Sequence, residues 1–337
     1  LRESIFDLTE AYGNLGHAFA EIVPATEVRP AQAEVDISYD FSAGPVVSVR
    51  RIEVRGNTKT RDRVVRRELG LREGEKFSGS GLKRSKSNIL RTGFFEEVEL
   101  STERTVEPDQ VDLLVELKEG RTGTFSAGAG FSSADNLLFN ARISERNLFG
   151  RGHSLVLNAD VGSIRQNFQL SFTEPWWGGR PLSVGFDLFD WELQFDRFTR
   201  GGKGLAVRSS YPLRALGMRR AGWMSLERVR AGIEYRIEET QIDGVRQVAP
   251  PSVKAEEGSR LNSSIRPSLV RNTLDHPFDP TSGSRQAVSL EVAGLGGDTD
   301  FLKFELTGRW FLPLWRTRRG RELVYSVGAR LGIGVGD

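Results

Sequence analysis

From residue 121 onward the chain alternates apolar and polar residues, in about eleven separate segments of roughly ten residues each. A period of two puts successive side chains on opposite faces of an extended strand, so each segment reads as a strand with one apolar and one polar face. In "TFSAGAGF", Phe125, Ala127, Ala129 and Phe131 alternate with Thr124, Ser126, Gly128 and Gly130. In "HSLVLNADV", Leu155, Leu157, Ala159 and Val161 oppose Ser154, Asn158 and Asp160. "NFQLSF", "LSVGFDL", "RVRAGIEYRI" and "LKFELTGRW" repeat the pattern, joined by Gly-rich or charged turns. Strands of a soluble sandwich are usually about 5–6 residues long and turn their polar face to bulk water. Longer strands whose second face is charged and Gly-rich fit an antiparallel transmembrane barrel, apolar toward lipid and polar toward a wet lumen. Phe149, Trp176, Trp177, Trp191 and Trp315, near segment ends, read as anchors at the membrane interfaces.

Composition agrees with that reading. Only 38% of the 337 residues are hydrophobic, which suffices when alternate positions alone meet lipid. Lys plus Arg (47) nearly balance Asp plus Glu (45), so bulk charge offers no capture of nucleic acid. The absence of cysteine excludes disulfides, thiolate metal sites and cysteine nucleophiles. No apolar run is long enough for a transmembrane helix, and no tripartite signal peptide opens the chain. "LRESIFDLTEAYGNLG" instead starts at helical spacing (Ile5, Leu8, Tyr12, Leu15) with no cap before it, as if cut out of a longer precursor.

Residues 1 to about 118 mix helical and strand patterns. After the opening helix, "AEVDISYDF" sets Val35, Ile37 and Tyr39 on one face and ends at Gly44-Pro45. "VSVRRIEVRGN" is a strand. Thr60 can cap a helix "TRDRVVRREL" that Gly70 terminates, and "LKRSKSNILR" is a second helix with Leu82, Ser85 and Ile89 on one face, stopped by Gly93. "FFEEVEL" and "VDLLVELKEG" follow as strands. The order β, α, α, β, β makes a small α+β module whose helices cover one face of a three-stranded sheet, and residues 1–44 look like the tail of a similar module. The expected domains are therefore 1–44, the C-terminal part of one module; 45–119, a complete module; and 120–337, an all-β barrel portion.

Specific motifs sharpen this. "IEVRGNTKT", "RRELGLREGEKFSGSGLKRSKSNILRTGFFEEVEL" and "VDLLVELKEG" resemble a polypeptide-transport-associated (POTRA) domain. "GTFSAGAGFSSADNLLFNARISERNLFGRG", "LSFTEPWW" and "RNTLDHPFDPTSGSR" resemble the start of the outer-membrane β-barrel assembly superfamily, with its bacterial surface antigen barrel. The resemblance implies tandem periplasmic POTRA domains and a barrel of about sixteen strands in the bacterial outer membrane. About eleven strands are present, and neither an Arg-Gly-Phe loop motif nor a terminal aromatic strand is found. The chain therefore reads as incomplete at its C-terminus too, since an open edge in lipid leaves backbone groups unsatisfied at several kcal/mol each.

In such a family, unfolded outer-membrane proteins are received by POTRA domains, with periplasmic chaperones and outer-membrane lipoproteins as partners, and folded into the lipid bilayer at a barrel seam. Physically that is β-augmentation, in which a client strand pairs with an exposed strand edge. Two edges are candidates. On the POTRA module it is Phe94, Phe95, Glu96, Glu97, Val98, Glu99 and Leu100; the apolar side chains of this strand read as core, leaving its backbone edge to bind. At the barrel seam it is the first strand, Thr124, Phe125, Ser126, Ala127, Gly128, Ala129, Gly130 and Phe131. Its glycines either weaken a strand that must open or make room for curvature and a neighbouring side chain. Arg228, Arg230 and Arg309 on the lumen face either line a conducting path or pair with Glu234 and Glu305, and pairing is the expectation. Residues 241–262 are expected to be an exposed extracellular loop.

No catalytic, cofactor or metal site is read. His17, His153 and His276 are isolated, and "AGAGF" lacks the helix that a dinucleotide fingerprint requires. An alternative within the same superfamily is a two-partner secretion pore; a passive barrel whose POTRA modules tether partners is a third reading.

Overall fold

The computed structural model describes residues 2–29, 34–132, 136–222, 224–275, 279–316 and 322–336; His276 falls outside them. The chain divides into two compact units, residues 1–122 with 149–151, and residues 123–148 with 152–337.

The first unit opens with α1 (Arg2–Asn14) and an antiparallel hairpin of β1 (Glu21–Arg29) and β2 (Glu34–Ser42). Tyr12 packs on Phe41 with ring centroids 4.7 Å apart. A module of β3 (Ser48–Arg55), α2 (Asp62–Arg66), α3 (Gly79–Thr92), β4 (Phe95–Arg104) and β5 (Gln110–Glu119) follows. Its sheet runs β3-β5-β4, with β5 central, parallel to β3 and antiparallel to β4. Burial follows from that position: Val111, Leu113, Val115 and Leu117 of β5 join Val49, Ile52, Val64, Val65, Ile89 and Val98 in one core. Ser78 caps α3 by accepting from the Gly81 N–H, and Gly93 ends it in the left-handed conformation (φ 69°). Fully buried Ser85 accepts from the Gly70 N–H and donates to the Gly81 carbonyl, both at 2.8 Å, so the polar residue on the apolar helix face is satisfied.

The start of α2 differs from the sequence expectation. Its N-cap residue is Arg61, with no side-chain cap bond, and the helix is one turn long. Thr60 is engaged elsewhere. The Glu119 carboxylate accepts from the Thr60 N–H (2.6 Å), the Lys59 N–H (3.0 Å) and the Thr58 hydroxyl (2.8 Å), which fixes the loop ahead of the helix. Burial pushes the Glu119 carboxyl up, but hydrogen bonds from Thr60, Thr58 and Lys59 together hold it below the usual carboxylate value. The chain reverses before this loop at Gly56 (φ +85°), where a Cβ would stand 1.9 Å from the Leu117 carbonyl oxygen, so only glycine fits.

The second unit is an eleven-stranded antiparallel sheet whose strands pair in the order in which they occur along the chain. The strands are β6 (Gly123–Ser132), β7 (Asn136–Leu148), β8 (His153–Gly162), β9 (Arg165–Glu174), β10 (Ser183–Gln194), β11 (Thr199–Pro212), β14 (Val229–Asp243), β15 (Gly258–Asn272), β16 (Gly283–Ala293), β17 (Phe301–Arg316) and β18 (Glu322–Gly336). Between β11 and β14 lie a short 3-10 turn (Leu213–Leu216) and a small hairpin, β12 (Arg220–Ala221) with β13 (Met224–Ser225).

Register shows how the alternation is used. Paired residues share a face, and Phe125, Ile143, Leu157, Leu170, Leu188, Leu205 and Ile237 form one apolar row across seven strands. The rows between are polar: Arg142, Asn158 and Gln169, or Arg208, Glu234 and Arg266. Leu155, Leu157 and Ala159 thus segregate from Ser154, Asn158 and Asp160, although Val156 sits on the polar face with Ser171.

Three expectations are corrected. Trp191 is not an interfacial anchor: it lies on the polar face opposite Asn167 and Gly202, and its Nε1 donates to Glu238 at 3.0 Å over the space that a glycine leaves. The lumen arginines pair differently. Arg230 donates to the Ser210 hydroxyl and carbonyl, Arg228 to the Thr273 carbonyl, Glu234 takes Arg266 at 2.8 Å, and Glu305 takes Arg330 at 2.9 Å. The cause is register, which places Glu234 between Arg208 and Arg266 and Thr307, next to Glu305, opposite Arg330. The loop after β14 is shorter than 241–262, because β14 runs to Asp243 and β15 starts at Gly258; Pro251–Ala255 form a helical turn, α4, between them.

Candidate strand-pairing edges

Both candidate segments lie at sheet edges. β4 pairs only with β5 among the described residues, so alternate backbone N–H and C=O groups on its far side face away from the sheet. Phe94 precedes the strand; Phe94, Phe95 and Val98 are buried, and Leu100 packs on the core. The apolar side chains are therefore occupied with holding the module together, and what remains on offer is backbone plus an acidic fringe of exposed Glu96, Glu97 and Glu99. Lys118 of β5 answers Glu97 at 2.8 Å and Glu96 at 3.9 Å, and the hydrogen bond to Glu97 raises its pKa. The register slips by one residue between Phe95 and Glu97. Such a bulge twists an edge away from flat pairing, so the regular part of the edge is Glu97–Arg104, which ends four residues beyond the expected Leu100.

β6 pairs only with β7 among the described residues. Phe125 (71% exposed) and Phe131 (79%) stand on its apolar face, opposite Ile143 and Leu137. Thr124, Ser126, Gly128 and Gly130 make the other face, opposite Ser144, Arg142, Asn140 and Leu138. The two glycines differ. A Cβ on Gly128 would meet Asn140 Oδ1 at 2.8 Å, whereas one on Gly130 would meet nothing within 4 Å. Gly128 therefore makes room for a neighbour, and Gly130 leaves β6 without a side chain at an open position. β18 at the opposite end of the sheet pairs only with β17 among the described residues.

Sequence reasoning did not find the Glu119 clamp, the contact of His153 with Glu174, or Arg208 bridging Asp187 and Thr173. The second and third join residues on adjacent or next-adjacent strands, which register alone brings together. Among the described residues no group of His, Asp and Glu is arranged to hold a metal ion, and no helix is long and apolar enough to cross a membrane, which says nothing of strands.

Residues 147–337 match the Omp85 superfamily domain, and residues 47–120 match POTRA, a surface antigen variable number repeat. The chain is 32% identical over 298 residues to the outer membrane protein assembly factor BamA of Nitratidesulfovibrio vulgaris, covering 88% of this chain and 36% of that protein. It is 28% identical over 333 residues to BamA of Neorickettsia risticii, covering 98% and 44%. The crystal structure of BamA from Haemophilus ducreyi lacking POTRA domains 1–3 shares the fold with a TM-score of 0.69 at 23% identity, covering 100% of this chain and 65% of that one. The chain thus spans about two fifths of the length of these curated relatives.

Proposed function

The chain belongs to the Omp85 superfamily, and from that premise we propose that it assembles β-barrel proteins into the bacterial outer membrane, with its POTRA module on the periplasmic side. The observation that carries this reading is the sequence likeness to outer membrane protein assembly factors over nearly the whole chain, POTRA module and sheet in the same order. The unpaired edges of β4 and β6 supply the physics. A client strand arriving unfolded has backbone groups that lipid cannot satisfy, and an existing strand edge satisfies half of them while the client forms its next hairpin. β4 receives the client as an added strand in the aqueous space, and β6 templates it at the membrane. No covalent bond is made or broken and no nucleotide or metal is called for, because burial of the client's apolar face in lipid drives the process. Unfolded outer-membrane proteins are the clients; periplasmic chaperones and outer-membrane lipoproteins are the proposed accessory partners.

The test is depletion of the protein in its own cells with quantitation of the outer-membrane proteome. Levels of many unrelated barrels should fall together. Loss of one exported protein alone, with barrel levels intact, would sink this reading in favour of a secretion pore. A photo-crosslinking residue at Ser126 should also capture client strands, whereas one at Asn158, two strands inside the sheet, should not.

A further inference from the structure

Consecutive strands of the sheet run antiparallel, so the chain leaves β9, β11 and β15 at the end of the sheet where β6 begins, and three connections start there. Segment 175–182 carries Trp177, 58% exposed and suited to the membrane–water boundary. The β11–β14 connection, "LRALGMRRAGWMSLER", is the longest of the three and has a different chemistry. Its described residues are tied by backbone hydrogen bonds: the Met218 N–H donates to the Leu213 carbonyl (3.2 Å), the Leu226 N–H to the Arg219 carbonyl (2.9 Å) and the Val229 N–H to the Leu226 carbonyl (3.1 Å), and Leu226 and Val229 are buried. Yet Leu216, Met218 and Met224 face outward, 59%, 42% and 38% exposed. Arg214, Arg219 and Arg220 are exposed too and form no ion pair or hydrogen bond through their side chains among the described residues. With Arg228 the segment holds four arginines against Glu227 alone, a larger surplus than the +2 of the entire chain.

Exposed apolar tips, and cations with no partner among the described residues, need a surface that takes both. A protein interface has a dry apolar centre and a polar rim. Here the exposed cations Arg214, Arg219 and Arg220 stand within a few positions of the exposed Leu216, Met218 and Met224, so surplus positive charge and apolar tips share one short segment. A phospholipid headgroup layer is mixed in that way, with phosphates and upper acyl segments within one side-chain length of each other. Placement agrees, since the excursion begins directly after Pro212 and ends before Val229, at the ends of β11 and β14, and Ile233 of β14 shares a face with Tyr235 and Ile237.

We infer that residues 213–222 and 224–228 form an interfacial anchor for anionic phospholipid in the periplasmic leaflet. Arg214, Arg219 and Arg220 engage phosphates, while Leu216, Met218 and Met224 enter the upper acyl region. This rests on the membrane-spanning reading of the sheet.

The chain's lack of cysteine makes a single label clean. In the full-length protein, freed of any further cysteine, Ala221→Cys carries an environment-sensitive fluorophore and is read by acrylamide quenching in bilayers of phosphatidylcholine with or without phosphatidylglycerol. Quenching should fall at least about threefold when about a third of the lipid is anionic, and recover in about 0.5 M salt, where screening lengths shrink to a few ångströms. Millimolar inorganic phosphate should not compete. The triple variant Arg214→Gln/Arg219→Gln/Arg220→Gln should lose the response to anionic lipid. Leu216→Ser/Met218→Ser should weaken shielding while leaving the salt dependence in place. Equal quenching in both bilayers, an unchanged response in the triple variant, or shielding that appears only on adding soluble protein overturns the inference. A second label at Leu188→Cys, in an apolar row at mid-strand, separates the two failures: if it too is open to acrylamide, the spanning reading itself has failed.

Discussion

Glu119→Ala removes an acceptor on which three donors converge, from Thr58, Lys59 and Thr60. Hydrogen bonds to a charged group contribute about 1.5–3 kcal/mol each, and a buried N–H deprived of its acceptor costs about 1–3 kcal/mol. Only the Thr60 N–H falls in the second class, because Thr60 is 3% exposed; Thr58 and Lys59 are exposed and turn to water in the variant. The low end of the range therefore applies, a loss of about 2 kcal/mol, which for a module of this size lowers Tm by roughly 10 °C. The pH dependence follows from the lowered carboxyl. A group whose folded pKa lies below its unfolded value of about 4.3 stabilises the fold above that pH, and the contribution is lost as pH falls through the folded value. Thermal melts of residues 1–122, followed by far-UV circular dichroism, should show a wide gap between Glu119→Ala and the parent at pH 7 that narrows as the pH falls toward 3. A gap below about 2 °C at pH 7, or one of equal size at both pH values, would refute the clamp.

Other substitutions probe the rest of the fold. Ile89→Ala empties a fully buried site in the module core and should cost about 2–5 kcal/mol by urea titration. Gly56→Ala drives a Cβ into the Leu117 carbonyl at a left-handed turn and should cost more than the roughly 1 kcal/mol of a simple Gly→Ala change in an unfavourable backbone region, read in the same melts. Single-tryptophan variants in bilayers of brominated lipid should show Trp177 and Trp315 quenched and Trp191 unquenched; quenching of Trp191 would reverse its assignment to the polar face.

The strands were legible because a two-residue period survives whatever the turns do, and eleven such segments correspond to the eleven strands of the sheet. Which residue meets which across strands was not legible. Charge sign alone matches Arg230 to a glutamate, yet register sets it beside Ser210 and sets Arg266 beside Glu234. Residue type alone places Trp191 at an interface, although its phase along β10 puts it with Asp187 and Gly185 on the polar face. Thr60 carries a capping side chain, but a carboxylate 59 positions later reaches its backbone first. At the two edges, sequence pointed to the strands, while the bulge at Glu96 and the different surroundings of Gly128 and Gly130 came only from pairing and packing.

The unbroken cross-strand rows also bear on how such a chain tolerates insertions and deletions. Deleting one residue from the middle of β9 would exchange the faces of everything beyond it, carrying Gln169 and Ser171 into lipid and Leu170 and Phe172 into the lumen. Deleting two adjacent residues restores the phase and only shortens the strand. In a library of random length changes, strand interiors should keep even-numbered losses far more often than odd ones, while the 244–257 connection should be indifferent to parity.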